Sequence, residues 1–600
     1  MTYNVLDFGA LISSSADSTD AFSRAIAACA KAGGGYVDVP AGQYVCGTIY
    51  LENYVYLRLH PGSTILGSEH LKDYSGTRRG CAWTSTQELL FEEKSINPCR
   101  ALIIADRKTH CGIVGHGTID GRRSAKHGYT DEKGRPCLVV FSECTHTTIR
   151  DITMTNSGFF TFYGLNCSDM LIDGVTIRTA NCANGDGLDF DGGRRITISN
   201  CNIDAGDDAI GLKTLTPSEP CEDFTITNCT LRSKHWAAVR IGPESAGDMR
   251  RINVHGCCIY DSGDGFKLQL TQEAVYEDFV FSNITMTDVL RPFFFTLNSY
   301  NMSALVKDIR PRPGIFRRIK LSHITATMRP SSHFGDLTIH AGSYISALPE
   351  TAIEDVSLQD IHIVAPGGGS QDDADRTEGH GDMYDFWGMY PEHLRNLGDY
   401  PSAILYLRNA KHVTLRDCTF ETVMPDARAA IAAECVDHLS LFGCEARRDL
   451  KLLRHYRCAP LQTDETESDQ LIPFSPSQAQ AWERCRAQSL LTDGILQRLA
   501  EHIQAIVPFC PTDRHRALSF EVQKSRDPMY LLIPKCRGNF SIVCNGQTID
   551  TFTLPAPYHS DVHPFACELT SHLTELPNTV CICPADNFEL VSDIIVGISK

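Results

Sequence analysis

The chain contains 600 residues, more than the ~250–300 at which a single globular core usually stops growing, so it must divide into domains or extend along one axis. Its formal net charge of -18 disfavours nucleic acid and anionic membrane surfaces as partners. A hydrophobic fraction of 42% argues against extensive disorder, and no segment approaches the ~20 uninterrupted apolar residues that cross a bilayer.

The N-terminus and the cysteines indicate the compartment. Residues 1–5 lead directly into folded-looking sequence, without the basic and apolar regions of a signal peptide, so the sequence as given predicts a cytoplasmic protein. The 25 cysteines are an odd number, and many stand inside apolar strands, as do Cys201 and Cys229, where a free thiol packs as a small hydrophobe. No CxxC pair has a matching partner pair, so we expect reduced thiols, no metal and no cofactor.

The first predicted elements are a helix and a strand. Residues 17–26, from Asp17 to Ile26, have the pattern of a capped amphipathic helix. The glycines at 33–35 then lead into strand sequence. A helix at this place would cover the open edge of a stack of strands.

An eight-residue pattern of alternating apolar residues recurs along the middle of the chain. Strong copies begin at residues 147, 170, 196, 224, 252 and 279, and weaker copies at Ile319, Val356, Val413 and Leu439. Alternation with period two predicts strands, and the Asn, Asp or Gly within each copy tolerates a left-handed bend. A repeat of about 25 residues without helices fits one coil of a parallel β-helix. We therefore predict an all-β, right-handed parallel β-helix with an N-terminal capping helix, a catalytic domain over residues 1–450.

Wide gaps in the repeat, at 287–318, 327–355 and 364–412, predict loops inserted between coils, which usually build one wall of a binding cleft. The pattern changes after residue 450. Residues 451–516 predict a linker with a helical stretch between Pro476 and Ile506. Residues 517–600 predict a small β-sandwich, with a hairpin at Asn545-Gly546. This domain loosely resembles the jelly-roll modules of glycosidases, and a lid or a homodimerisation domain is an equal alternative.

Three aspartates are the strongest candidates for chemistry. Asp186 and Asp207 are 21 residues apart, roughly one coil, which predicts that they lie on adjacent coils of one face, and Asp208 follows directly. Crowded carboxylates repel one another, which raises the pKa of one of them. A neutral acid beside ionised partners is what glycoside hydrolysis requires. Structural turns, or a calcium site that includes Asp189 and Asp191, are the alternatives.

These motifs carry a resemblance to a known family. Residues 1–450 resemble the polygalacturonases of glycoside hydrolase family 28, through Val5 to Ala10, through Gly115 to Gly121, and most sharply at 184–189 and at the Gly-Asp-Asp block 206–208. The resemblance implies that Asp207 is the general acid, that Asp186 and Asp208 activate water, and that the anomeric centre is inverted. It also implies a pectic or related oligosaccharide as substrate.

The chain departs from the family pattern at two places. The family's Gly-His-Gly segment aligns with 236–238, so Ala237 stands at the histidine position, and His235 is a candidate replacement. The family's Arg-x-Lys pair, which binds a galacturonate carboxylate, reads Lys267-Leu-Gln269 here. Arg240 could supply the lost charge. We predict that the substrate-binding residues are the following: His235, Trp236, Arg240, Lys267 and Gln269.

Aromatic side chains are expected to hold the apolar face of a sugar. Trp236 and the loop aromatics at 293–295 and 384–390 are the candidates, although each could equally fill the inside of its own loop. Long insertions beside the cleft would block an extended polymer, which favours exo action on short oligosaccharides.

Two other functions remain open at this point. A polysaccharide lyase or uronate epimerase on the same scaffold would use Lys213, Lys234 or Lys267 as base and the three aspartates as a metal site. A non-catalytic carbohydrate-binding solenoid is the second alternative, against which the Gly-Asp-Asp cluster argues.

Overall fold

A computed structural model of the chain describes residues 2–80, 98–122, 135–270, 273–297, 314–334, 337–347, 351–375 and 401–464. Beyond these it describes 469–476, 479–480, 483, 503–507, 518–525, 529–537, 539–552, 562–575, 577–584, 589–590 and 594–598.

The described elements are given in chain order. The first are β1 (Thr2–Asn4), a 3-10 turn (Val5–Phe8), β2 (Ser13–Asp17), α1 (Thr19–Lys31), β3 (Gly35–Val39), β4 (Gly42–Cys46), β5 (Ile49–Tyr50), β6 (Val55–Leu59), β7 (Ser63–Gly67), a 3-10 turn (Leu71–Asp73), β8 (Gly76–Gly80), β9 (Pro98–Asp106), β10 (Gly112–Gly115) and β11 (Thr118–Asp120). Next come β12 (Cys137–Ser142), β13 (Thr145–Arg150), β14 (Thr153–Thr155), β15 (Phe162–Asp173), β16 (Thr176–Arg178), β17 (Leu188–Ser199), β18 (Asn202–Ala205), β19 (Ile210–Thr214), β20 (Cys221–Thr227), β21 (Thr230–Ser233), β22 (Ala237–Ser245), β23 (Met249–His255), β24 (Cys258–Leu270) and β25 (Val275–Leu297).

The second half continues the series. It contains β26 (Ile315–Met328), β27 (Ser331–Phe334), β28 (Leu337–His340), β29 (Ser343–Ala347), β30 (Ile353–Ala365), α2 (Gln371–Asp375), β31 (Ser402–Arg416), β32 (Thr419–Thr422), β33 (Ala429–Phe442), β34 (Glu445–Ala446), β35 (Lys451–Tyr456), β36 (Ala459–Thr463) and β37 (Leu471–Pro473). The last elements are β38 (Ile503–Val507), β39 (Leu518–Val522), β40 (Met529–Arg537), β41 (Phe540–Cys544), β42 (Gln547–Phe552), β43 (Val562–Glu568), a 3-10 turn (Thr570–His572), β44 (Asn578–Pro584), β45 (Glu589–Leu590) and β46 (Ile594–Ile598).

Apart from β8, β27 and β28, the strands as far as β37 pair in parallel with their counterparts one coil earlier and later, and they form three sheets. β8 pairs antiparallel with β9, and β27 pairs antiparallel with β28. Sheet 1 runs through β1, β3, β6, β10, β13, β15, β17, β20, β23, β25, β26, β30, β31, β33 and β36. Sheet 2 runs through β2, β4, β7, β11, β14, β16, β18, β21, β24, β25, β26, β30, β32 and β34. Sheet 3 runs through β5, β9, β12, β15, β17, β19, β22, β24, β25, β29, β31, β33, β35 and β37.

This topology is a parallel β-helix, and the prediction of an all-β chain is confirmed. The predicted repeats stack in register on sheet 1, where Ile149, Ile172, Ile198 and Ile226 follow one another from coil to coil inside one continuous apolar core. The bend within each strong repeat is left-handed, as predicted, at Asp151, Gly174, Asn200, Asn228, Gly256 and Asn283. The handedness of the coil stays a prediction.

The predicted loops and the domain boundary need correction. The gap at 287–318 contains the end of β25, the gap at 327–355 contains β29, and the gap at 364–412 contains the first half of β31. Each of these segments is a strand of sheet 3 and not a loop. The parallel ladder also continues past residue 450 through β35, β36 and β37. The coil therefore ends near residue 473.

At the N-terminal end, α1 packs against β1, β3, β5 and β6. Its apolar face buries Phe22, Ala25, Ile26 and Cys29. Its role as a cap stays a prediction. The described cysteines are free thiols, most of them buried, and Cys201, Cys229 and Cys257 are buried on consecutive coils in the main core.

An alternating row of charges lies where each coil enters sheet 1. One pair of residues per coil occupies the same two positions, and the pairs alternate between basic and acidic over six coils before two His-containing pairs follow. We call this row the charge ladder; its members are Arg194-Arg195, Glu222-Asp223, Arg250-Arg251, Glu277-Asp278, Arg317-Arg318, Glu354-Asp355, Lys411-His412 and Asp437-His438.

Ion pairs connect the steps of the charge ladder. Arg251 lies 2.6 Å from Asp223, Arg318 lies 2.7 Å from Asp278, and Lys411 lies 3.2 Å from Glu354. The second member of each pair has a positive φ, for example 59° at Asp223 and 55° at Arg251. Because charge alternates with every coil, a coil that slipped by one step would meet its own sign, so the row favours the native stacking order.

Two antiparallel sheets form the C-terminal domain. One consists of β38, β46, β40 and β43 with β45 beside β40, and the other of β39, β44, β41 and β42. Both contribute to a separate core that includes Leu531, Phe540, Phe565 and Ile582. Residues Ile503–Val507 form a strand, which corrects the helix predicted as far as Ile506. Most of that predicted helix lies outside the described residues, and the jelly-roll likeness stays a prediction.

Among the residues that the structure describes, helices are few, and none has the length and apolar character that a membrane span requires.

Candidate active site

The three predicted aspartates meet at the bend between sheets 2 and 3. Asp186 lies between β16 and β17, and Asp207 and Asp208 lie one coil later between β18 and β19. One oxygen from each carboxylate lies within 4.8 Å of the others. The register of Leu188 with Ile210 places Asp208, rather than Asp207, directly opposite Asp186. The three aspartates therefore lie close together as predicted, but Asp208, and not Asp207, stands opposite Asp186 on the adjacent coil.

Each of the three carboxylates has different partners. Asp186 Oδ2 lies 3.3 Å from Lys213 Nζ. Asp208 accepts a hydrogen bond from the backbone N–H of Ala237 at 3.0 Å, and its other oxygen lies 3.5 Å from Arg240. The side chain of Asp207 accepts one from the N–H of Asp208 at 3.0 Å. Asp186 and Asp208 thus each face a cation, whereas the side chain of Asp207 accepts a hydrogen bond from the neutral amide of Asn184 at 3.5 Å.

Burial separates the three groups further. Asp186 and Asp208 are each 3% exposed, whereas Asp207 is only half-buried and can reach the groove. Loss of hydration raises the pKa of Asp207 well above its usual range, and the negative charges of Asp186 and Asp208 raise it further. Burial also raises the pKa of Asp208, while Arg240 opposes that rise. Asp207 is therefore the member of the cluster best suited to retain a proton near neutral pH.

The column of side chains that contains the aspartates continues along sheet 3. The pairing of β19 with β22 places Ala237 after Asp208, and the pairings that follow place Asp264 and then Arg291 on the next coils. Asp264 is fully buried and accepts two hydrogen bonds from Arg291, at 2.5 and 2.8 Å. Ala237 leaves the coil beside Asp208 without a large side chain. Along this column, the small side chain of Ala237 therefore separates the aspartate cluster at one end from the Asp264–Arg291 ion pair at the other.

Three of the predicted binding residues form one cationic patch beside the aspartates. Arg240 and Lys267 are neighbours on adjacent coils, and Arg240 donates a hydrogen bond to Gln269 over 3.0 Å. Lys267 Nζ lies 3.8 Å from Asp264 and 5.8 Å from the centre of the Trp236 ring. Arg240 and Lys267 are 3% and 0% exposed. Arg240 thus contacts the residue that replaces the second cation of the pattern.

The remaining candidates differ in position. Trp236 and His235 are partly exposed in the bend before β22, next to the groove. Burial lowers the pKa of His235, and the positive charges of Lys234 and Arg329 lower it further, which favours the neutral ring. Residues 293–295 were expected in a loop, but they lie in β25: Phe293 and Phe295 belong to the main core and Phe294 packs on Arg291. Residues 384–390 lie outside the described residues.

Two further residues at the site, Asp189 and Lys213, were named from the sequence only in the alternative interpretations, as a calcium ligand and as a lyase base. Asp189 and Lys213 form an ion pair of 2.7 Å directly behind Asp186. Burial raises the pKa of Asp189 well above its usual range, and the charge of Asp186 acts in the same direction. The available signal was the second aspartate of 184–189 together with the lysine five residues after Asp208.

The cluster could also surround a divalent cation, since three carboxylate oxygens converge. Lys213 and Arg240 already place positive charge beside two of the three groups. The arrangement therefore favours acid–base chemistry by the carboxylates themselves.

A half-open cavity of about 250 Å³ adjoins this bend on the sheet 2 side. Its wall includes Asn156, Arg178, Asn181 and Cys182, and Cys182 lies two residues before Asn184. Amide, guanidinium and hydroxyl groups of this kind suit the hydroxyls of a sugar ring.

Comparison with known proteins gives a family match and several relatives. The family model of "Glycosyl hydrolases family 28" matches residues 60–337. A probable polygalacturonase of Vitis vinifera is 23% identical over 381 residues, which cover 58% of this chain and 77% of that protein. An exo-poly-alpha-D-galacturonosidase of Dickeya chrysanthemi is 25% identical over 301 residues, 41% of this chain and 48% of that protein, so the match spans about half of its length.

Among solved structures, the family 28 exopolygalacturonase of Yersinia enterocolitica superposes with a TM-score of 0.50 at 18% identity, over 77% of this chain and 78% of that one. This likeness concerns the fold.

Proposed function

We propose that this chain is a family 28 glycosyl hydrolase, since that family model matches residues 60–337, and that it cleaves galacturonide bonds in a pectic oligosaccharide. The observation that carries the proposal is the convergence of one carboxylate oxygen each from Asp186, Asp207 and Asp208 within 4.8 Å of one another. The galacturonidase and polygalacturonase names of the relatives support the substrate class.

The different surroundings of the aspartates support a division of roles. Asp207 is accessible from the groove and holds a proton, so it donates that proton to the oxygen of the leaving sugar. Asp186 and Asp208 each lie beside a cation, so they are placed to orient a water and to accept its proton. This pairing of a neutral acid with ionised neighbours is the requirement of glycoside hydrolysis.

We propose inversion of the anomeric centre, which follows from the family resemblance. Oxygens within 4.8 Å of one another are closer than the ~6.5–9.5 Å between the carboxyls of an inverting pair, so spacing alone would favour retention. Proton NMR of the first-formed product anomer distinguishes the two outcomes.

The cationic patch supports an acidic sugar as substrate. Arg240 and Lys267 are paired residues on adjacent coils, and we propose that one substrate carboxylate contacts both. Trp236, next to Lys267, would pack on the apolar face of the ring, and the 250 Å³ cavity would receive hydroxyls of a neighbouring unit.

We further propose exo action on short chains. The insertions between the coils of the second half, and the exo-acting relative from Dickeya, support it. Incubation with a defined oligogalacturonide, followed by chromatography of early products, tests both activity and mode. Release of one small product from the start indicates exo action, and a spread of intermediate lengths would indicate endo action.

The variant Asp207→Asn tests the site itself. It preserves shape but cannot donate the proton, so hydrolysis should fall by about 100-fold or more. The matched control is Asp360→Asn, an exposed aspartate of sheet 2. Full activity of Asp207→Asn, or an unsaturated product from the wild type, would refute the hydrolytic assignment.

A further inference from the structure

Behind Asp186 lies a second acid that the catalytic roles above do not use. Asp189 is completely buried, and its Oδ2 accepts a hydrogen bond from Lys213 at 2.7 Å. The same ammonium group lies 3.3 Å from Asp186 Oδ2 and 4.5 Å from the centre of the Phe160 ring. Lys213 therefore contacts two carboxylates of the same chain segment, those of Asp186 and Asp189. Asp186 is the one that belongs to the aspartate cluster.

The backbone is shaped for this arrangement. Lys213 belongs to β19, one coil beyond Asp189 in β17, and Gly211 stands directly opposite Asp189. A β-carbon at Gly211 would collide with the Asp189 carboxylate. The absence of a side chain at this position lets the acid occupy the space that Lys213 must reach across.

The charges around the pair do not balance without bound protons. Four carboxylates, those of Asp186, Asp189, Asp207 and Asp208, share the cations of Lys213 and Arg240. Two protons are needed for neutrality, and the pKa values of Asp207 and Asp189 are both raised well above their usual range. The other charged groups that act on this set are Glu244 and Lys267.

We propose that Lys213 and Asp189 are positioning residues that keep Asp186 ionised and fixed for the activation of water. Lys213 supplies the charge that holds the Asp186 carboxylate, and Asp189 anchors the lysine from behind. Neither residue touches the substrate. This inference rests on the proposed hydrolytic function. It says which residues hold Asp186, the base of that reaction, in place.

The proton balance of the step is simple. Water loses one proton to Asp186 as its oxygen bonds to the anomeric carbon, and the broken glycosidic oxygen takes the proton of Asp207. After product release Asp186 is protonated and Asp207 is ionised, and exchange with solvent restores both. Lys213 stays charged throughout, so it favours the return of Asp186 to the ionised form.

The test is a comparison of Lys213→Met and Lys213→Arg in the full-length enzyme. Lys213→Met removes the charge but keeps most of the side-chain volume, so kcat on an oligogalacturonide should fall about 10- to 100-fold. KM should change by less than roughly threefold, because the lysine makes no substrate contact. The acidic limb of the kcat profile should move up by about one pH unit, since a lost neighbouring cation favours the protonated base. Lys213→Arg should restore part of kcat and return the limb toward its original position.

The control is Lys320→Met, an exposed lysine of β26 that faces away from the site. A variant Lys213→Met that raises KM at unchanged kcat would overturn the proposal in favour of substrate binding. An unmoved acidic limb would overturn it as well.

Thermal unfolding separates this inference from the proposed function. Lys213→Met leaves two buried acids without their cation, so Tm should fall, and adding Asp189→Asn should recover part of the loss. This readout needs no substrate. If the wild type does not hydrolyse galacturonides but the recovery is seen, the proposed function fails and the pairing stands; if no recovery is seen in an active enzyme, the pairing fails alone.

Discussion

Arg240 donates a hydrogen bond from Nη2 to Oε1 of Gln269 over 3.0 Å, and the two residues lie on adjacent coils of sheet 3. Gln269 stands where the family pattern has a lysine, so the guanidinium of the preceding coil now occupies the neighbourhood of the missing charge. Because it also lies 3.5 Å from Asp208, Arg240 connects substrate recognition with the acid cluster.

We therefore expect Arg240→Leu to weaken binding of an acidic sugar. Loss of a hydrogen bond to a charged group costs about 1.5–3 kcal/mol, which corresponds to roughly a 10- to 100-fold rise in KM for an oligogalacturonide. Steady-state kinetics measures it, and Arg416→Leu, an exposed arginine of β31, is the control. An unchanged KM in Arg240→Leu would show that the carboxylate is bound elsewhere.

The pH dependence of the reaction should respond to Asp208. The negative charge of Asp208 contributes to the raised pKa of Asp207, and Asp207 must be protonated to act. Asp208→Asn removes that charge, so the pKa of Asp207 should fall and the basic limb of the residual kcat profile should move to lower pH. Long incubations with an oligogalacturonide give the profile. A limb that moves to higher pH would contradict the assigned acid.

Ionisation of Asp207 should destabilise the folded enzyme, and Asp207→Asn should remove this destabilisation. Its folded-state pKa is raised above that of the unfolded chain, so the folded form binds the proton more tightly, and this stabilising contribution is lost as pH rises from the unfolded to the folded pKa. Asp207→Asn cannot ionise, so its Tm relative to wild type should increase between roughly pH 4 and pH 8. Scanning calorimetry at several pH values measures the difference, and Asp360→Asn should show none. A Tm difference that is flat with pH would mean that Asp207 is ionised in the folded enzyme.

Sheet 1 could be predicted from the sequence because its strands face the core on one side and solvent on the other. Alternation with period two follows directly, and every predicted repeat from residue 147 to 439 begins on that sheet. Sheet 3 near the site is buried on both faces, as in Ser343–Ala347 and Ile210–Thr214, so its strands show no alternation. For this reason the repeat pattern does not show three of its strands, and the sequence predicts loops in their place.

The site was predictable only where residues are close in sequence. Asp207 and Asp208 are adjacent, and Asp186 precedes them by about one coil, so their proximity follows from the repeat length. The contact of Lys213 with Asp186 and Asp189 depends on the exact register of β17 with β19 and on the space above Gly211. A small uncertainty in coil length moves such a lysine by a whole residue, which reverses the face of the strand.

The charge ladder yields the last prediction, and it concerns the stacking of coils rather than catalysis. Asp223 lies between Arg195 and Arg251 on neighbouring coils and is 2.6 Å from Arg251. These side chains are 41–56% exposed, so each pair alone contributes only about 0.2–1 kcal/mol. Asp223→Lys would replace attraction by repulsion on both sides. Its loss of unfolding free energy should therefore be about twice that of Asp223→Asn, and high salt should reduce the difference between the two variants. Denaturant unfolding at low and high ionic strength measures both, with Asp360→Lys as the exposed control outside the row. Equal losses for the two Asp223 variants, or a gap insensitive to salt, would mean that the alternating charges do not stabilise the order of the coils.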